Sequence, residues 1–335
     1  MPKHIGLDLG TSNTIMFIRG KGIVLRSPTV VTVDLNEESV VAVGREAKNM
    51  IGKTPANMKA LKPIRNGVVA DFEVAAMMVH EHLVRTEALS LFNRPVILCS
   101  IPESCTEVER RAVEDVMFAA GARAVGTVSS SVAAAVGAGL NINSPNGCMI
   151  VDIGGGMTQI AVISSGGIVR SRSVKIAGEH FDGAIVRNLR SARDLFVGDV
   201  SAEMLKVRLG AATNDIRLPA VEVSGRNEKL KCAQTIAVTQ AEVQGALFAG
   251  YEAICRAITS VLESSPPEIA GDISDYGIML VGGGANIHGI AELINRRTRL
   301  RVTVAKNPMD SECLGLGRLI EHPSIIPGGI LYKNR

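Results

Sequence analysis

The chain of 335 residues contains no tryptophan, three tyrosines and seven phenylalanines. Proteins that bind single-stranded nucleic acids usually stack the bases on aromatic side chains, which are scarce here. Basic residues do not compensate, because the formal net charge is only +3 and the lysines and arginines are scattered along the chain. We therefore expect no nucleic-acid partner.

The six cysteines form no close pair and have no metal-binding spacing. Most lie in apolar surroundings, which is typical of reduced core residues in a cytosolic protein. The chain also has no recognisable signal peptide, and we expect no apolar run long enough to span a bilayer. Its length and apolar content predict one large or two medium domains.

The first informative segment is an apolar run from Ile5 to Leu9 that carries one carboxylate, Asp8. A turn follows, and the apolar pattern resumes from Ile15 to Ile18, which predicts a strand, a tight turn and a second strand. The turn offers hydroxyls and backbone N–H groups that can hold a phosphate. Asp8 would repel that phosphate unless a cation stands between them, and Mg²⁺ is the usual bridge.

The same pattern recurs at residues 149–163, where Asp152 precedes the turn Gly154-Gly155-Gly156. A third apolar segment, Ile278 to Val281, ends in the glycines of residues 282–284. A repeated unit suggests a duplicated domain with a nucleotide clamped between the halves.

Two common nucleotide motifs fit poorly. Gly20-Lys21-Gly22 lacks the upstream glycine and the hydroxyl of a Walker motif. Gly154 and Gly156 have dinucleotide-binding spacing, but Gln159 occupies the place of the third glycine.

The three glycine-rich segments, in this order, resemble the phosphate 1, phosphate 2 and adenosine motifs of the actin, sugar kinase and heat-shock chaperone ATPase superfamily. Within it, the surrounding sequence resembles the bacterial actin MreB family. We expect this chain to be a divergent paralogue within that family. The resemblance covers essentially the whole chain and is carried by residues 20–28, 42–47, 50–55 and 67–72. It implies an α/β fold of duplicated actin-like (ribonuclease H-like) domains around a nucleotide cleft, each with a small inserted subdomain.

The expected domain boundaries follow from the resemblance and the motif positions. Domain I would comprise residues 1–30, 65–145 and 308–335, with its small subdomain at 31–64. Domain II would comprise 146–180 and 239–307, with its small subdomain at 181–238. Local patterns predict a helix from Thr106 with Glu109 in capping-box spacing, and another from Ser201 as cap to Gly210 as stop. They also predict a long helix at 239–262 and a closing helix at 311–321.

The resemblance implies ATP and Mg²⁺ as ligands and assigns them residues. Asp8 and Asp152 would hold Mg²⁺ through water. The phosphates would be held by Gly10, Thr11, Ser12, Asn13, Gly154, Gly155 and Gly156. The adenosine pocket would be formed by Glu203, Met204, Leu205, Lys206, Gly282, Gly283, Gly284, Ala285 and Asn286. Glu203 and Lys206 lie at i and i+3 on one helix face, so a plain surface ion pair is the alternative for them.

Two positions depart from the family pattern. Ser130 stands where the family has a Glu that orients the attacking water, and Met157 stands where a Thr contacts that water. Losing general-base assistance typically costs ~10²–10⁴ in rate, so we expect at most a slow ATPase. The alternative is that Ser130 and Thr158 substitute for the missing groups.

The resemblance further implies head-to-tail filaments that pair and lie on the inner face of the cell membrane. There they would scaffold cell-wall elongation and rod shape with partners of the MreC, MreD and RodZ type. Leu91 and Phe92 form a candidate membrane-binding loop, with a local core plug as the alternative. Residues 1–4 are expected to be too short for an amphipathic anchor. A small-molecule kinase of the same superfamily is the alternative function; a chaperone ATPase is a third, less suited because the sequence has no evident peptide-binding domain.

Overall fold

The computed structural model describes residues 2–37, 39–90 and 93–334. Within these residues the first half of the chain forms β1 (His4–Leu9), β2 (Asn13–Ile18), β3 (Gly22–Pro28), β4 (Val31–Asp34), β5 (Ser39–Val43), α1 (Arg45–Met50), β6 (Met58–Leu61), β7 (Ile64–Arg65), β8 (Val68–Val69), α2 (Phe72–Arg85), β9 (Val96–Ile101), α3 (Glu107–Ala119), β10 (Ala124–Ser129) and α4 (Ser130–Ala138).

The second half forms β11 (Cys148–Ile153), β12 (Thr158–Ser164), β13 (Gly167–Val174), α5 (Gly178–Arg193), β14 (Leu195–Phe196), α6 (Asp199–Leu209), β15 (Val221–Asn227), β16 (Ala233–Val238), α7 (Gln240–Glu263), α8 (Pro267–Tyr276), β17 (Ile278–Val281), α9 (Ile290–Thr298), β18 (Val302–Val304), α10 (Ser311–Glu321) and β19 (Tyr332–Asn334).

Two central sheets have the same layout. The first has the strand order β19-β10-β9-β1-β2-β3 and the second has the order β13-β12-β11-β17-β18. In each, the first strand of an antiparallel three-stranded meander pairs in parallel with a further strand, which pairs in parallel with another. The first sheet has in addition an antiparallel edge strand, β19. This repetition bears out the expected duplicated actin-like α/β architecture, because Asp8 on β1 and Asp152 on β11 occupy equivalent strands.

Each half also carries a small sheet. Strands β5-β4-β6 form one within the predicted 31–64 insertion, and β14-β15-β16 form the other within the predicted 181–238 insertion. The helix α5, however, begins at Gly178, and its Phe181 packs edge-on against Tyr251 of α7 with ring centroids 5.2 Å apart. The exact domain boundaries stay predictions.

Helices α4 and α10 cross between the two central sheets, because α10 packs on β1 and β2 of the first sheet and α4 contacts β11 of the second. A Cβ added to Gly137 of α4 would lie 2.7 Å from the amide nitrogen of Gly315 on α10 and would overlap the carbonyl oxygen of Ser311. A Cβ on Gly315 would likewise overlap the carbonyl of Ala133. Only glycine permits this backbone contact, so the crossing holds the start of α10 in a fixed position.

Several local predictions are confirmed. The capping box of Thr106 and Glu109 is present at the start of α3, and α10 has the predicted bounds. The predicted cap Ser201 is wrong, because α6 begins at Asp199 with Gly198 as its N-cap, which places Ser201 inside the helix. An extended glycine followed by an acidic residue in the first turn starts this helix without a hydroxyl cap. The helix does end at Gly210 as predicted.

The prediction about membrane-spanning runs needs a correction. Helix α7 is long and apolar enough to cross a bilayer by length and composition, although this is weak evidence. It begins with a capping box of Thr239 and Glu242, and its apolar side is part of the domain II core through residues such as Leu247 and Ile254. We therefore interpret α7 as an amphipathic core helix.

Candidate nucleotide cleft

Three glycine-rich turns meet between the two halves of the molecule around a cavity of about 310 Å³. They follow β1, β11 and β17, so the equivalent ends of the two central sheets face each other. Pockets for small ligands typically measure roughly 300–1,000 Å³. The cavity is lined by these sequence-predicted residues: Asp8, Gly10, Thr11, Ser12, Asn13, Asp152, Gly154, Gly155, Glu203, Lys206, Gly282, Gly283, Gly284 and Asn286.

The two phosphate-type turns approach each other closely. A Cβ on Gly155 would lie 2.7 Å from the Cβ of Ser12, and one on Gly156 would lie 2.8 Å from the Cα of Asn66. Within the described residues, the amide nitrogens of Thr11, Ser12, Gly155 and Gly156 donate to no backbone acceptor. Four unused N–H groups on facing turns form a site suited to an anionic oxygen cluster.

Two carboxylates lie beneath these turns. Asp152 is only 8% exposed, and burial raises its pKa. Burial also raises the pKa of Asp8, and repulsion by Asp152 and Asp310 adds to that shift. Two buried acids that repel each other favour a cation between them. Among the described residues no group of three His, Cys, Asp or Glu side chains is arranged to hold a metal. The pair therefore fits an ion that keeps most of its waters, as Mg²⁺ does.

Sequence reasoning missed a third acid, Glu312, in the first turn of α10. Its carboxyl lines the same cavity as Asp8 and Asp152. Burial raises the pKa of Glu312 well above its usual value, and repulsion by those two aspartates raises it further, whereas the nearby Ser100 hydroxyl lowers it. In the sequence, a Glu in the first turn of a helix is normally interpreted as a residue that stabilises the helix dipole. Nothing local indicates that the α4–α10 crossing brings it to the cleft.

The apolar part of the cavity lining was not predicted from the sequence either. It comprises Ile15, Phe181, Val207, Ile287, Pro308 and Met309. Val207 belongs to α6, and Ile287 follows the third glycine turn, so apolar surface lies beside the residues predicted to bind adenosine. Such surface suits the faces of a flat ring.

Glu203 and Lys206 line the cavity, but both already have ion-pair partners. Lys206 Nζ lies 2.8 Å from Asp182 Oδ1 and donates to the carbonyl of Gly178 at 3.1 Å. Glu203 pairs with Lys48 at 2.7 Å, across the cleft on α1. The two residues thus share one cavity without pairing with each other. Lys206 is also the only cationic side chain in the described lining.

Three predicted adenosine residues do not reach the cavity. Leu205 is fully buried in the core of domain II, and Met204 packs against the same core. Because successive helical residues are rotated by about 100°, these two residues of α6 face away from Glu203 and Lys206. Ala285 also packs into that core, although its neighbours Gly284 and Asn286 line the cavity. The assignment of Met204, Leu205 and Ala285 is corrected accordingly.

A smaller cavity of about 80 Å³ continues behind the phosphate-type turns. Ser130, Gly156, Met157 and Gln159 line it, together with Glu312 and both aspartates. The Ser130 hydroxyl donates to Gln159 Oε1 at 2.9 Å, and Met157 carries no polar hydrogen to offer. The two positions that depart from the family pattern therefore line the same small chamber.

Thr158 does not belong to this chamber. It is fully buried, lines neither cavity, and donates its hydroxyl to the carbonyl of Ile176 at 2.6 Å. Strand alternation explains this, because Thr158 and the chamber-lining Gln159 are successive residues of β12 and point to opposite faces. The idea that Thr158 substitutes for a water-contacting Thr is therefore wrong. The candidate membrane residues Leu91 and Phe92 lie outside the described residues.

Comparison with known proteins identifies the family to which this chain belongs. The sequence profile described as MreB/Mbl protein matches residues 2–326. The cell shape-determining protein Mbl of Bacillus subtilis is 39% identical over 325 residues, covering 97% of this chain and 98% of the relative. The cell shape-determining protein MreB of Escherichia coli is 39% identical over 324 residues, covering 95% and 93%. The chain belongs to the MreB/Mbl family.

Solved structures agree with this membership. The crystal structure of MreB5 of Spiroplasma citri bound to ADP has a TM-score of 0.91 and 32% identity, with 98% of both chains covered. A second structure of MreB5, bound to AMPPNP, matches equally well. The MamK double helical filament has a TM-score of 0.81 at 22% identity, which supports the actin-like fold alone. This MreB/Mbl-family chain is thus an actin homologue related to cytoskeletal, nucleotide-binding proteins of cell shape.

Proposed function

We propose that this chain binds ATP with Mg²⁺ in the cleft and polymerises head to tail into filaments that support rod shape. The observation that carries the proposal is the meeting of two glycine turns with unused amides, two buried aspartates and a third glycine turn around one cavity. The crystal structures of MreB5 with ADP and AMPPNP support an adenine nucleotide as the ligand.

Different residues of the cleft would bind different parts of the nucleotide. The amides of Thr11, Ser12, Gly155 and Gly156 would donate to phosphate oxygens. Asp8 and Asp152 would orient the water molecules of the Mg²⁺, which supplies charge neutralisation when bound. The apolar surface near Val207 and Ile287 would pack on the adenine, with Glu203 at the ribose.

Filament assembly would depend on closure of the cleft. Two ion pairs bridge its outer edge, Lys48 with Glu203 at 2.7 Å and Lys62 with Glu179 at 2.8 Å. Both ion pairs join the small subdomain of domain I to domain II. They can form only when the cleft is closed, because their partners lie on its two sides. Head-to-tail contacts are heterologous and leave an open filament.

Hydrolysis would be slow in comparison with relatives that carry the usual Glu and Thr. The Ser130 hydroxyl is used by Gln159, and Met157 offers no polar group. We infer that nucleotide occupancy, rather than rapid turnover, governs assembly. A single-turnover rate equal to that of such a relative would contradict this part of the proposal.

The cellular role follows from membership of a family whose members are named cell shape-determining proteins. The filaments would lie on the inner face of the cytoplasmic membrane and scaffold cell-wall elongation with MreC-, MreD- and RodZ-type partners. Leu91 and Phe92 are the proposed membrane contact. Co-sedimentation with liposomes should fall when both are changed to Ser, and unchanged co-sedimentation would exclude this loop.

The kinase alternative lacks support in the cleft. A kinase needs a polar pocket for its acceptor near the γ-phosphate, but residues 130–136 of α4 are buried. We therefore give the filament function as the conclusion.

The decisive experiment combines nucleotide titration with sedimentation. Binding of a fluorescent ATP analogue should require Mg²⁺, and sedimentation should increase with ATP. Asp152→Asn should weaken binding at least tenfold and abolish the ATP-dependent increase, because one of the two Mg²⁺-orienting carboxylates is lost. Asp275→Asn, at an exposed position of α8, is the matched control and should behave like the unaltered chain. Absence of adenine-nucleotide binding by the unaltered chain would refute the proposal.

A further inference from the structure

The small chamber behind the phosphate-type turns has room for water. Its lining is partly apolar, through residues such as Ile64 and Val113, and also carries polar side chains. Its volume of about 80 Å³ exceeds the ~10–15 Å³ of probe-occupied space that one water molecule needs. It shares Asp8, Asp152 and Glu312 with the main cavity, so the two cavities adjoin beside the turns that would hold the terminal phosphate. A water molecule in this chamber would therefore stand next to that phosphate.

The polar groups of the chamber differ in what they can offer such a water. Gln159 Oε1 already accepts from the Ser130 hydroxyl at 2.9 Å and from the Glu103 amide at 3.3 Å. Ser130 has donated its proton in that bond. Asp8 and Asp152 would face the Mg²⁺ waters. Glu312 is the third carboxyl in the described lining, and beside the Ser100 hydroxyl it can still accept further hydrogen bonds.

Two independent contacts fix Glu312 in place. The helix that carries it, α10, is locked against α4 by the contact between Gly137 and Gly315, and α4 begins at Ser130. Two residues before Glu312, Asp310 accepts two hydrogen bonds from Arg26 at 2.8 and 2.9 Å. Bidentate pairs of this kind set orientation as well as position. The helices that carry Glu312 and Ser130, two residues lining the same chamber, are therefore fixed relative to each other by one crossing.

No cationic side chain among the described residues pairs with Glu312. An acid placed in a cleft meant for a polyanion, without a cationic partner, is costly for the fold and for ligand binding. Such a cost is characteristic of functional sites.

We propose that Glu312 is the group that orients the attacking water for ATP hydrolysis in this chain, in place of the Glu and Thr that Ser130 and Met157 replace. The proposal rests on the ATP-binding function given above. The carboxyl accepts a hydrogen bond from the water, and in its ionised form it is a stronger acceptor than the neutral amide of a glutamine.

The water oxygen forms a bond to the γ-phosphorus as the bond from that phosphorus to the β–γ bridging oxygen breaks. ADP leaves with the electron pair, and the protons of the water end on inorganic phosphate and the solvent. Positioning is the main contribution that a protein makes to this reaction.

The test measures ATP affinity and single-turnover phosphate release on the same preparations. Glu312→Gln keeps the size of the side chain but replaces the carboxyl. We expect an ATP dissociation constant within threefold of that of the unaltered chain and phosphate release at least tenfold slower. Glu312→Asp, which keeps the carboxyl but withdraws it, should fall between the two. Glu321→Gln, at the exposed end of the same helix, is the matched control and should change neither quantity.

Each other outcome is informative. Equal release by Glu312→Gln and the unaltered chain, or no release by the unaltered chain despite ATP binding, would overturn the assignment of Glu312 while leaving the ATP-binding function intact. Weakened ATP binding by Glu312→Gln, with unchanged thermal unfolding, would reassign Glu312 to ligand binding and also overturn the proposal. Failure of the unaltered chain to bind ATP would instead refute the proposed function itself.

Discussion

Lys48 of the small subdomain of domain I and Glu203 of α6 form an ion pair of 2.7 Å across the mouth of the nucleotide cleft. Both side chains are about one-third exposed, at 31% and 35%. Glu203 also lines the cavity, so one carboxylate both faces the proposed ligand site and bridges to α1. We infer that the pair couples ligand binding to the position of the small subdomain.

This coupling predicts a charge-swap result. Lys48→Glu places two like charges at the cleft mouth and should speed release of a fluorescent ATP analogue about fivefold, since exposed pairs contribute ~0.2–1 kcal/mol. Lys48→Glu combined with Glu203→Lys should recover part of the loss. Stopped-flow release kinetics measure both. Arg45→Glu, an exposed change on the same helix, is the control, and no recovery in the double variant would contradict the coupling.

His82 should make the protein sensitive to acid. It is 1% exposed on α2, and neither ring nitrogen has a hydrogen-bond partner in the described structure. Burial, followed by repulsion from Arg85, lowers the pKa of His82 from 6.5 to about 4. The unfolded chain therefore binds a proton that the folded chain does not, so stability is full above pH 6.5 and declines as the pH falls to 4. The loss approaches roughly 3 kcal/mol.

Urea unfolding at pH 7.5 and pH 5 tests this expectation. His82→Leu should flatten the difference between the two pH values, because no group remains to be protonated at that site. The exposed neighbour His80, changed to Asn, is the control and should keep the full difference. An equal pH dependence in His82→Leu would assign the acid sensitivity to other groups.

The helix crossing between α4 and α10 should tolerate no added methyl group. Gly137→Ala places a Cβ against the backbone of Ser311 and Gly315, and overpacking of this kind costs ~1–3 kcal/mol or more. Gly245→Ala on α7 meets no atom within 4 Å and should instead stabilise the protein by ~0.5–1 kcal/mol through helix propensity. Thermal unfolding of the two variants should shift in opposite directions. A neutral Gly137→Ala variant would mean that the two helices can separate at little cost.

Removal of the Tyr251 hydroxyl should not lower the free energy of unfolding. Its oxygen is buried in the domain II core without a hydrogen-bond partner among the described residues, and its ring packs on Phe181. Tyr251→Phe keeps the ring and should raise the free energy of unfolding by up to about 1 kcal/mol. Tyr251→Ala should lower it by ~3–5 kcal/mol. Tyr276→Phe, at an exposed site, is the control, and destabilisation by Tyr251→Phe would indicate an internal partner for the hydroxyl.

The sequence was sufficient for the parts of the site that are encoded locally. Asp8 and Asp152 each sit on an apolar strand directly before a glycine turn, so spacing alone predicted the two matched half-sites. Helix α10 and the capping box of Thr106 were predicted for the same reason, since their signals lie within a few residues of chain.

The missed residues depend on tertiary approach. Glu312 reaches the cleft because α10 crosses α4 at two glycines, and Lys48 meets Glu203 from 155 positions away in sequence. The family pattern placed α6 at the adenosine site but did not show which of its residues face the cavity. The orientation of the helix decides this, because it turns Glu203 and Lys206 to the cavity and Met204 and Leu205 to the core. Helix α8 and strand β19 were also unrecognised, because a proline start and a three-residue edge strand carry weak periodicity.

The backbone contact between Gly137 and Gly315 has a mechanical consequence. Helices that touch through bulky side chains can slide by changing rotamers, but these two touch through main-chain atoms and have no such freedom. Opening of the cleft must then proceed as a swing about the crossing point. Distance probes at the outer rim should report large changes between ligand states, whereas probes beside the crossing should stay nearly still.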